Sequence, residues 1–450
     1  MSGGATESPV GGATESLVGG ATESPVGSVT RPARSGDRRY VPPPRSNGRS
    51  LIELAVVVTA VVLAAFATHT TNLLIVIVAL IVMIMLHELG HFATAKWSSM
   101  KVTEYFLGFG PRLWSVRKGE TEYGIKAIPA GGYVKIVGMS NLEEVDPADE
   151  PRTYRQQPFR KRLLVAVAGS TMHGVMAFVL LWTYFSFSGV PSSSVVEVQS
   201  YSAVGQNVDP ARLAGIKPGD VIVRIDGKTV TGPETVTKAI QSHAGLPVTM
   251  VVQRDGTPHT ITVTPVAVDA KAGQAPQGHI GVFLAEGNRS VGALSAFGHA
   301  GTGLANTVTA SISALGQIFS AHGLSQYWHD LTNSKAATAS EHSTTRIQSI
   351  YGAVRIGVQG AEAGWGGLVA VLVSINIFVG IVNLLPMLPL DGGHVAIAVY
   401  ERIRSRPGNR YFADVRKLAP VAYAFLVFLG AIVVSAFYLD ITHPLANPFH

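Results

Sequence analysis

An apolar run that starts at Leu73 ends in Leu86-His87-Glu88-Leu89-Gly90-His91, which puts two imidazoles and a carboxylate inside or at the edge of a membrane segment. Packing an apolar helix does not call for ionisable groups; they are costly in lipid and are usually retained for function. On a helix, His87 and His91 lie one turn apart on one face, the spacing two zinc ligands need. Glu88 sits beside them, where it can take a proton from a water activated by the metal. The alternative, a solvated helix face, suits an aqueous domain better than an uninterrupted apolar run.

The rest of the chain fits a membrane protein with a sizeable aqueous part. Of its 450 residues, 47% are hydrophobic and only 14% charged, and the mean hydropathy is +0.29. This length accommodates a membrane core and one soluble domain of about 100 residues. There is no cysteine, so disulfides and thiolate metal sites are excluded and any zinc must be held by His and carboxylates.

Five segments read as membrane helices, near Leu51 to Thr68, Asn72 to Ala95, Leu163 to Phe187, Gly367 to Leu388 and Leu418 to Tyr438. Each approaches the roughly 20 residues that a bilayer demands. Basic residues sort by side. The N-terminal tail carries Arg31, Arg34, Arg38, Arg39, Arg45 and Arg49, the loop from Lys96 to Arg162 is rich in Lys and Arg, and the connection 401–417 carries Arg402, Arg404, Arg406, Arg410, Arg416 and Lys417. The linker 69–71 and the tail from Leu439 to His450 have none. The positive-inside rule then places the N-terminus and both basic loops in the cytosol, and 188–366 and the C-terminus outside. The net charge of +6 therefore reads as orientation and lipid headgroup contact, with no nucleic-acid partner.

Residues 1–50 hold three near-copies of GGATESPV, starting at Gly3, Gly11 and Gly19, and then an Arg- and Pro-rich stretch. So little apolar surface cannot offset chain entropy, and a disordered cytosolic tail is expected. A long polar tail before the first apolar run is not a signal peptide.

A second chemical cluster lies in Asn383-Leu384-Leu385-Pro386-Met387-Leu388-Pro389-Leu390-Asp391-Gly392-Gly393-His394. Asp391 stands near the cytosolic end of an apolar segment, as the two histidines do, and can complete a His, His, carboxylate site with water in the fourth position. Pro386 and Pro389 break the helix, freeing backbone groups that protein or a watery cavity must satisfy. Alone, Asp391-Gly392 also reads as an ordinary turn at the membrane edge. His394 is the rival ligand.

HELGH on a membrane helix, Leu107-Gly108-Phe109-Gly110-Pro111, Ile128-Pro129-Ala130-Gly131-Gly132-Tyr133-Val134 and NLLPMLPLDGGH together resemble the site-2 protease family of intramembrane zinc metalloproteases, in particular its bacterial PDZ-containing members. The resemblance covers about residues 72–440. It implies that His87, His91 and Asp391 hold zinc, that Glu88 is the base, and that Asn383 positions substrate. It also implies single-span membrane substrates, such as anti-sigma factors or signal-peptide remnants. One departure stands out: where the family often has Gly-Pro-x-x-Asn, this chain has Gly169-Ser170-Thr171-Met172-His173.

The outer region, with Leu213-Ala214-Gly215-Ile216-Lys217-Pro218-Gly219-Asp220, a helix from Pro233 to Ser242 and strands at Val248 to Gln253 and His259 to Val266, resembles the PDZ fold of bacterial envelope proteases. Such a domain adds an extended peptide or chain end to a sheet edge, or serves as a steric filter. The segment Tyr123 to Val137 reads as a membrane-associated β-hairpin around Pro129-Ala130-Gly131-Gly132, whose edge can pair with an unwound substrate. The expected fold is a polytopic α-helical membrane protein of about five transmembrane helices with an inserted α+β PDZ domain. Its regions are a tail (1–50), a membrane region (51–187), the PDZ domain (192–268), an extracytoplasmic connector (269–366), a second membrane region (367–440) and a short tail (441–450). Two rival functions are a catalytically silent PDZ membrane scaffold and a membrane-tethered zincin acting on soluble proteins, whose HExxH would sit in an aqueous domain.

Overall fold

The computed structural model describes residues 47–139, 143–202, 209–268, 276–333, 346–406 and 408–449, so the GGATES repeats lie outside the described residues. The described residues open with two helices, α1 (Asn47–Ala67) and α2 (Thr71–Trp97). Two long strands follow, β1 (Val102–Lys118) and β2 (Thr121–Ile136), and then α3 (Phe159–Ser188). A mixed domain comes next: β3 (Val190–Tyr201), α4 (Pro210–Leu213), β4 (Val221–Ile225), β5 (Lys228–Thr229), α5 (Pro233–Ser242), β6 (Val248–Arg254), β7 (Thr257–Val263), β8 (Val266–Val268), β9 (Gln277–His279) and β10 (Val282–Arg289). Helices α6 (Ala293–Ile318), α7 (Ala321–Thr332), α8 (Ile350–Glu362), α9 (Trp365–Asn383), α10 (Asp391–Arg404) and α11 (Ala419–Thr442) complete the described chain.

Among the described residues, four helices are long and apolar enough to cross a membrane: Thr71–Trp97, Phe159–Ser188, Trp365–Asn383 and Val415–Thr442. The expected segment at 51–68 is helical, but its apolar part, Leu51–Ala67, is shorter. The third of these spans stops at Asn383, five residues before the apolar run does, because Pro386 lacks the N–H and the room that a continuing helix requires. The buried residues of α2 (Val76, Met83, His87, Gly90, His91 and Ala95) fall on one stripe, so the two histidines face protein. On α3 the matching stripe is mostly small: Val165, Ala166, Gly169, His173 and Ala177. Small residues let helix backbones approach closely where no hydrophobic effect drives association. A Cβ on Gly90 would lie 2.7 Å from the Ala168 carbonyl oxygen, so the α2–α3 contact depends on that glycine.

The structure corrects the hairpin. The arms of the expected hairpin do not pair with each other: residues 122–125 and 132–135 of β2 run in opposite directions on the two sides of 104–107 in β1, and a further tight turn, between Lys118 and Thr121, is at Gly119-Glu120. Gly119 takes a positive φ there, which suits glycine and allows the tight turn. The chain reverses around Pro129 to Gly132, so Leu107 lies between Gly132 on one side and Ile125 on the other. At the turn, hydrogen bonds from Arg152, with further support from Lys96, hold Glu120 well below the usual carboxylate range, at about 2.

The mixed domain contains a sheet ordered β10-β3-β4-β6-β7, with β5 beside β4, and all its pairs are antiparallel. Its strands alternate as half-buried strands do: Val248, Met250 and Val252 enter the core while Thr249 and Gln253 face out. The predicted helix at 233–242 and both predicted strands are present, β7 with its bounds shifted to Thr257–Val263. Burial alone would raise the Asp220 carboxyl, but hydrogen bonds from Arg254 and the Lys217 N–H outweigh it and leave it below its ordinary value.

Within 269–366, α6 lies along α3. Trp182 Nε1 donates to the Ala293 carbonyl at 3.0 Å, Phe297 meets the Phe178 ring edge-on, and Leu304 and Val308 join the cluster of Ala177, Val369, Val373 and Ile377. Helix α8 packs Val354 and Val358 against Val76 of α2. These helices are rich in Ala, Gly, Ser and Thr, so their hydropathy is too weak to identify them as packed against the membrane helices.

Candidate metal centre

Two segments of the chain meet at the site. His87 and His91 come from the buried stripe of α2, and Asp391 from the first turn of α10. The break after α9 makes this encounter possible. From Leu384 to Leu390 the chain turns through hydrogen bonds such as Leu385 N–H to Val382 O and Leu390 N–H to Met387 O, and α10 then starts at Asp391. Gly392 and Gly393 follow because the loop packs on them: a Cβ at Gly392 would lie 2.2 Å from the carbonyl oxygens of Leu384 and Leu385.

His87 Nε2 and His91 Nε2 are 3.3 Å apart, and Asp391 Oδ2 lies 3.5 and 3.2 Å from them. Donors 2.0–2.2 Å from a tetrahedral zinc lie roughly 3.3–3.6 Å from one another, so the triad already has the edge lengths of such a site. Asp391 Oδ2 is buried and makes no well-formed hydrogen bond. His91 Nδ1 donates to the Val165 carbonyl at 2.8 Å, which fixes the tautomer and leaves Nε2 as a lone pair. Facing the triad, Gly169 of α3 leaves a space that a Cβ would fill at 2.4 Å from His91 Nε2 and 2.6 Å from His87 Nε2. An orphaned carboxylate oxygen, a lone-pair nitrogen and a cradle of this size fit a metal ion.

Glu88 is half-buried next to the triad, and its carboxyl interacts with the Val134 N–H of β2. Gly132 brings that strand close. Its Cβ position is 3.2 Å from Glu88 Cγ and 3.1 Å from Met85 Sδ, and Tyr105 of β1 anchors the sheet by donating to the Met85 carbonyl at 2.7 Å. Gly131, at φ +144°, forms the bend and meets the Phe109 ring.

The remaining sequence candidates separate. Asn383 ends α9 and is half-buried outside the triad. His394 turns its ring toward Tyr154 and lines a cavity with Arg162 and Glu401, so Asp391, and not His394, joins the histidines. His173 lies within the protein, its ring 4.9 Å from that of His87.

Four features of the site escape sequence reasoning: the Val165 carbonyl, Gly169, Asn376 beside His173, and the buried ion pair of Arg162 with Glu401, which ties α3 to the helix that carries Asp391. Only the departure at 169–173 signalled any of them. Glu401 also accepts from the Ala413 N–H at 2.8 Å, so both its oxygens are engaged. Removing one partner of a buried pair costs about 3–5 kcal/mol. Glu401→Ala is accordingly expected to lower the thermal unfolding midpoint of the detergent-solubilised protein and to weaken zinc binding; an unchanged midpoint counts against a structural role for the pair.

The family model described as Peptidase family M50 matches residues 75–429. Zinc metalloprotease Rip1 of Mycobacterium tuberculosis is 33% identical over 406 residues, covering 84% of this chain and 98% of that protein. The protein of the same name from Mycolicibacterium smegmatis is 32% identical, covering 82% and 96%. A putative zinc metalloprotease of Nostoc is 30% identical, covering 73% and 85%. Among solved structures, the PDZ domain of an SdrC-like protein from Listeria monocytogenes is 24% identical with a TM-score of 0.17, covering 21% of this chain and 90% of that one.

Proposed function

Because the chain belongs to peptidase family M50, we propose that it is an intramembrane zinc endopeptidase that cuts single-span membrane proteins within their membrane segment, near the cytosolic face. The observation that carries this reading is the His87, His91, Asp391 triad with zinc-like spacing at one end of an apolar helix, with Glu88 beside it. His87, His91 and Asp391 hold the ion. Bound zinc supplies a Lewis acid that polarises the scissile carbonyl and acidifies the attacking water. Glu88 removes the water's proton and delivers it to the leaving amine nitrogen.

A peptide bond inside a helix is shielded by its own hydrogen bonds, so the substrate must be held unwound. The stretch of β2 at Gly132 to Val134 lies against Glu88, where an extended substrate can add to the strand. Gly131 and Gly132 keep that approach free of side chains, and Asn383 positions the substrate from the end of α9. Placing HExxH on a membrane-spanning helix disfavours a zincin that acts on soluble proteins. The family's anti-sigma factors and signal-peptide remnants are the substrate classes we assign.

We assign the mixed domain, read as a PDZ domain, to the outside face, where it excludes substrates with bulky outer domains. Full-length enzyme is expected to spare an intact single-span substrate and to cut one already trimmed outside. Deleting about 195–268 should allow both. Slower cleavage of the trimmed substrate after deletion would make the domain a receptor for chain ends, and no change with either substrate rejects both roles.

The same reading places the N-terminal tail in the cytosol and the C-terminus outside. The chain has no cysteine, so one introduced thiol is the only one. In intact cells a cysteine in the 1–50 tail should resist an impermeant thiol reagent and one near Pro444 should react; the opposite pattern overturns the orientation.

A further inference from the structure

We propose that His173 supplies a fourth, exchangeable nitrogen to the metal centre, an inference that rests on the zinc reading of the triad. His173 follows Gly169 by one turn on the face of α3 that meets the metal ligands. Its ring centroid is 4.9 Å from that of His87, the same separation as between His87 and His91. The side chain is 1% exposed.

Its tautomer follows from its neighbours. Asn376 on α9 donates its Nδ2 to the Leu372 carbonyl at 2.8 Å, which turns Oδ1 toward His173, and His173 Nδ1 donates to that oxygen at 3.0 Å. Nε2 is therefore a lone pair, buried and without a hydrogen-bond partner. His91 is held in the same way, with Nδ1 on a carbonyl oxygen and Nε2 free for the ion. An imidazole oriented by a hydrogen bond from its other nitrogen is the usual preparation of a metal ligand. A buried acceptor with no donor is otherwise a cost that an apolar residue would avoid.

Three imidazoles and a carboxylate make a closed set, whereas a hydrolytic zinc needs an open position. His173 is the member able to leave, because its nitrogen lies outside the tight triad of His87, His91 and Asp391. The His173 nitrogen would close the site on a bound ion and, when it stands off the triad as it does here, would leave a position for water and substrate.

The test uses full-length protein in detergent, carrying Glu88→Gln so that no cleavage intervenes. Zinc affinity is measured by competition with a chromophoric chelator, and the cobalt(II)-loaded protein by its visible absorption. His173→Asn keeps a donor for Asn376 and removes the Nε2 lone pair. It should weaken zinc binding by at least about tenfold and change the cobalt spectrum, with the apo unfolding midpoint preserved. X-ray absorption of the zinc-loaded protein with His173 intact should count three imidazoles, a measurement that does not depend on the variant folding. Two imidazoles, or unchanged zinc affinity and cobalt spectrum in His173→Asn, overturns the proposal. His87→Ala is the control: retained stoichiometric zinc there would reject the metal centre itself, a failure distinct from that of His173.

Discussion

Glu88→Gln is expected to slow cleavage of a model membrane segment between about a hundredfold and ten-thousandfold, the range for losing a general base, while zinc stays stoichiometric. The substitution keeps the size of the side chain and its place against Gly132 and Val134, and removes only the ability to accept the proton. His87→Ala, His91→Ala and Asp391→Ala should lose metal and activity together, since each removes one of three donors spaced 3.2–3.5 Å apart. Metal analysis of purified protein alongside a cleavage assay separates the two classes. Wild-type rates in Glu88→Gln would sink the assignment of the base. Stoichiometric zinc in Asp391→Ala would move the third ligand to His394.

Gly169→Ala should abolish zinc binding and lower cleavage by more than about a hundredfold, the penalty for misplacing reacting groups by roughly 1 Å. The new methyl would lie 2.3 Å from His87 Cε1, 2.4 Å from His91 Nε2 and 2.6 Å from His87 Nε2, so it occupies the cradle and pushes both imidazoles aside. Alanine is the better helix former by about 1 kcal/mol, so α3 itself should not suffer. This separates the outcome from general misfolding: the variant should extract and migrate as the parent does and fail only at the metal. A Gly169→Ala protein that holds zinc and cuts at the parental rate would show that α3 does not border the ion.

Four apolar helices long enough to cross a membrane were legible because length and apolarity mark them without any neighbour, and the residues of the triad because HELGH and LPLDGG carry ionisable groups where lipid penalises them. The faces of those helices were not legible. A helix that is apolar all round has no amphipathic stripe, and its packed side is marked by glycines and alanines, as at Gly90, Ala168 and Gly169, whose meaning depends on the partner. The β1–β2 pairing was misplaced for a related reason. Pro129 to Gly132 carries turn chemistry and the chain does reverse there, but the two arms pair with opposite sides of 104–107 and not with each other, and nothing local to the turn identifies that intervening strand. Arg162 with Glu401, and His173 with Asn376, join residues more than 200 positions apart, beyond the reach of spacing arguments.

The distance along the chain between His91 and Asp391 has a consequence for biosynthesis. The histidines leave the ribosome about 300 residues before the carboxylate, on the order of 15–60 s at 5–20 residues per second. Throughout that interval the newborn polypeptide has its two imidazoles and its glutamate in place but cannot complete the donor set. Drawing Asp391 from so far along the chain delays completion of the triad until the later segments have been made and have docked.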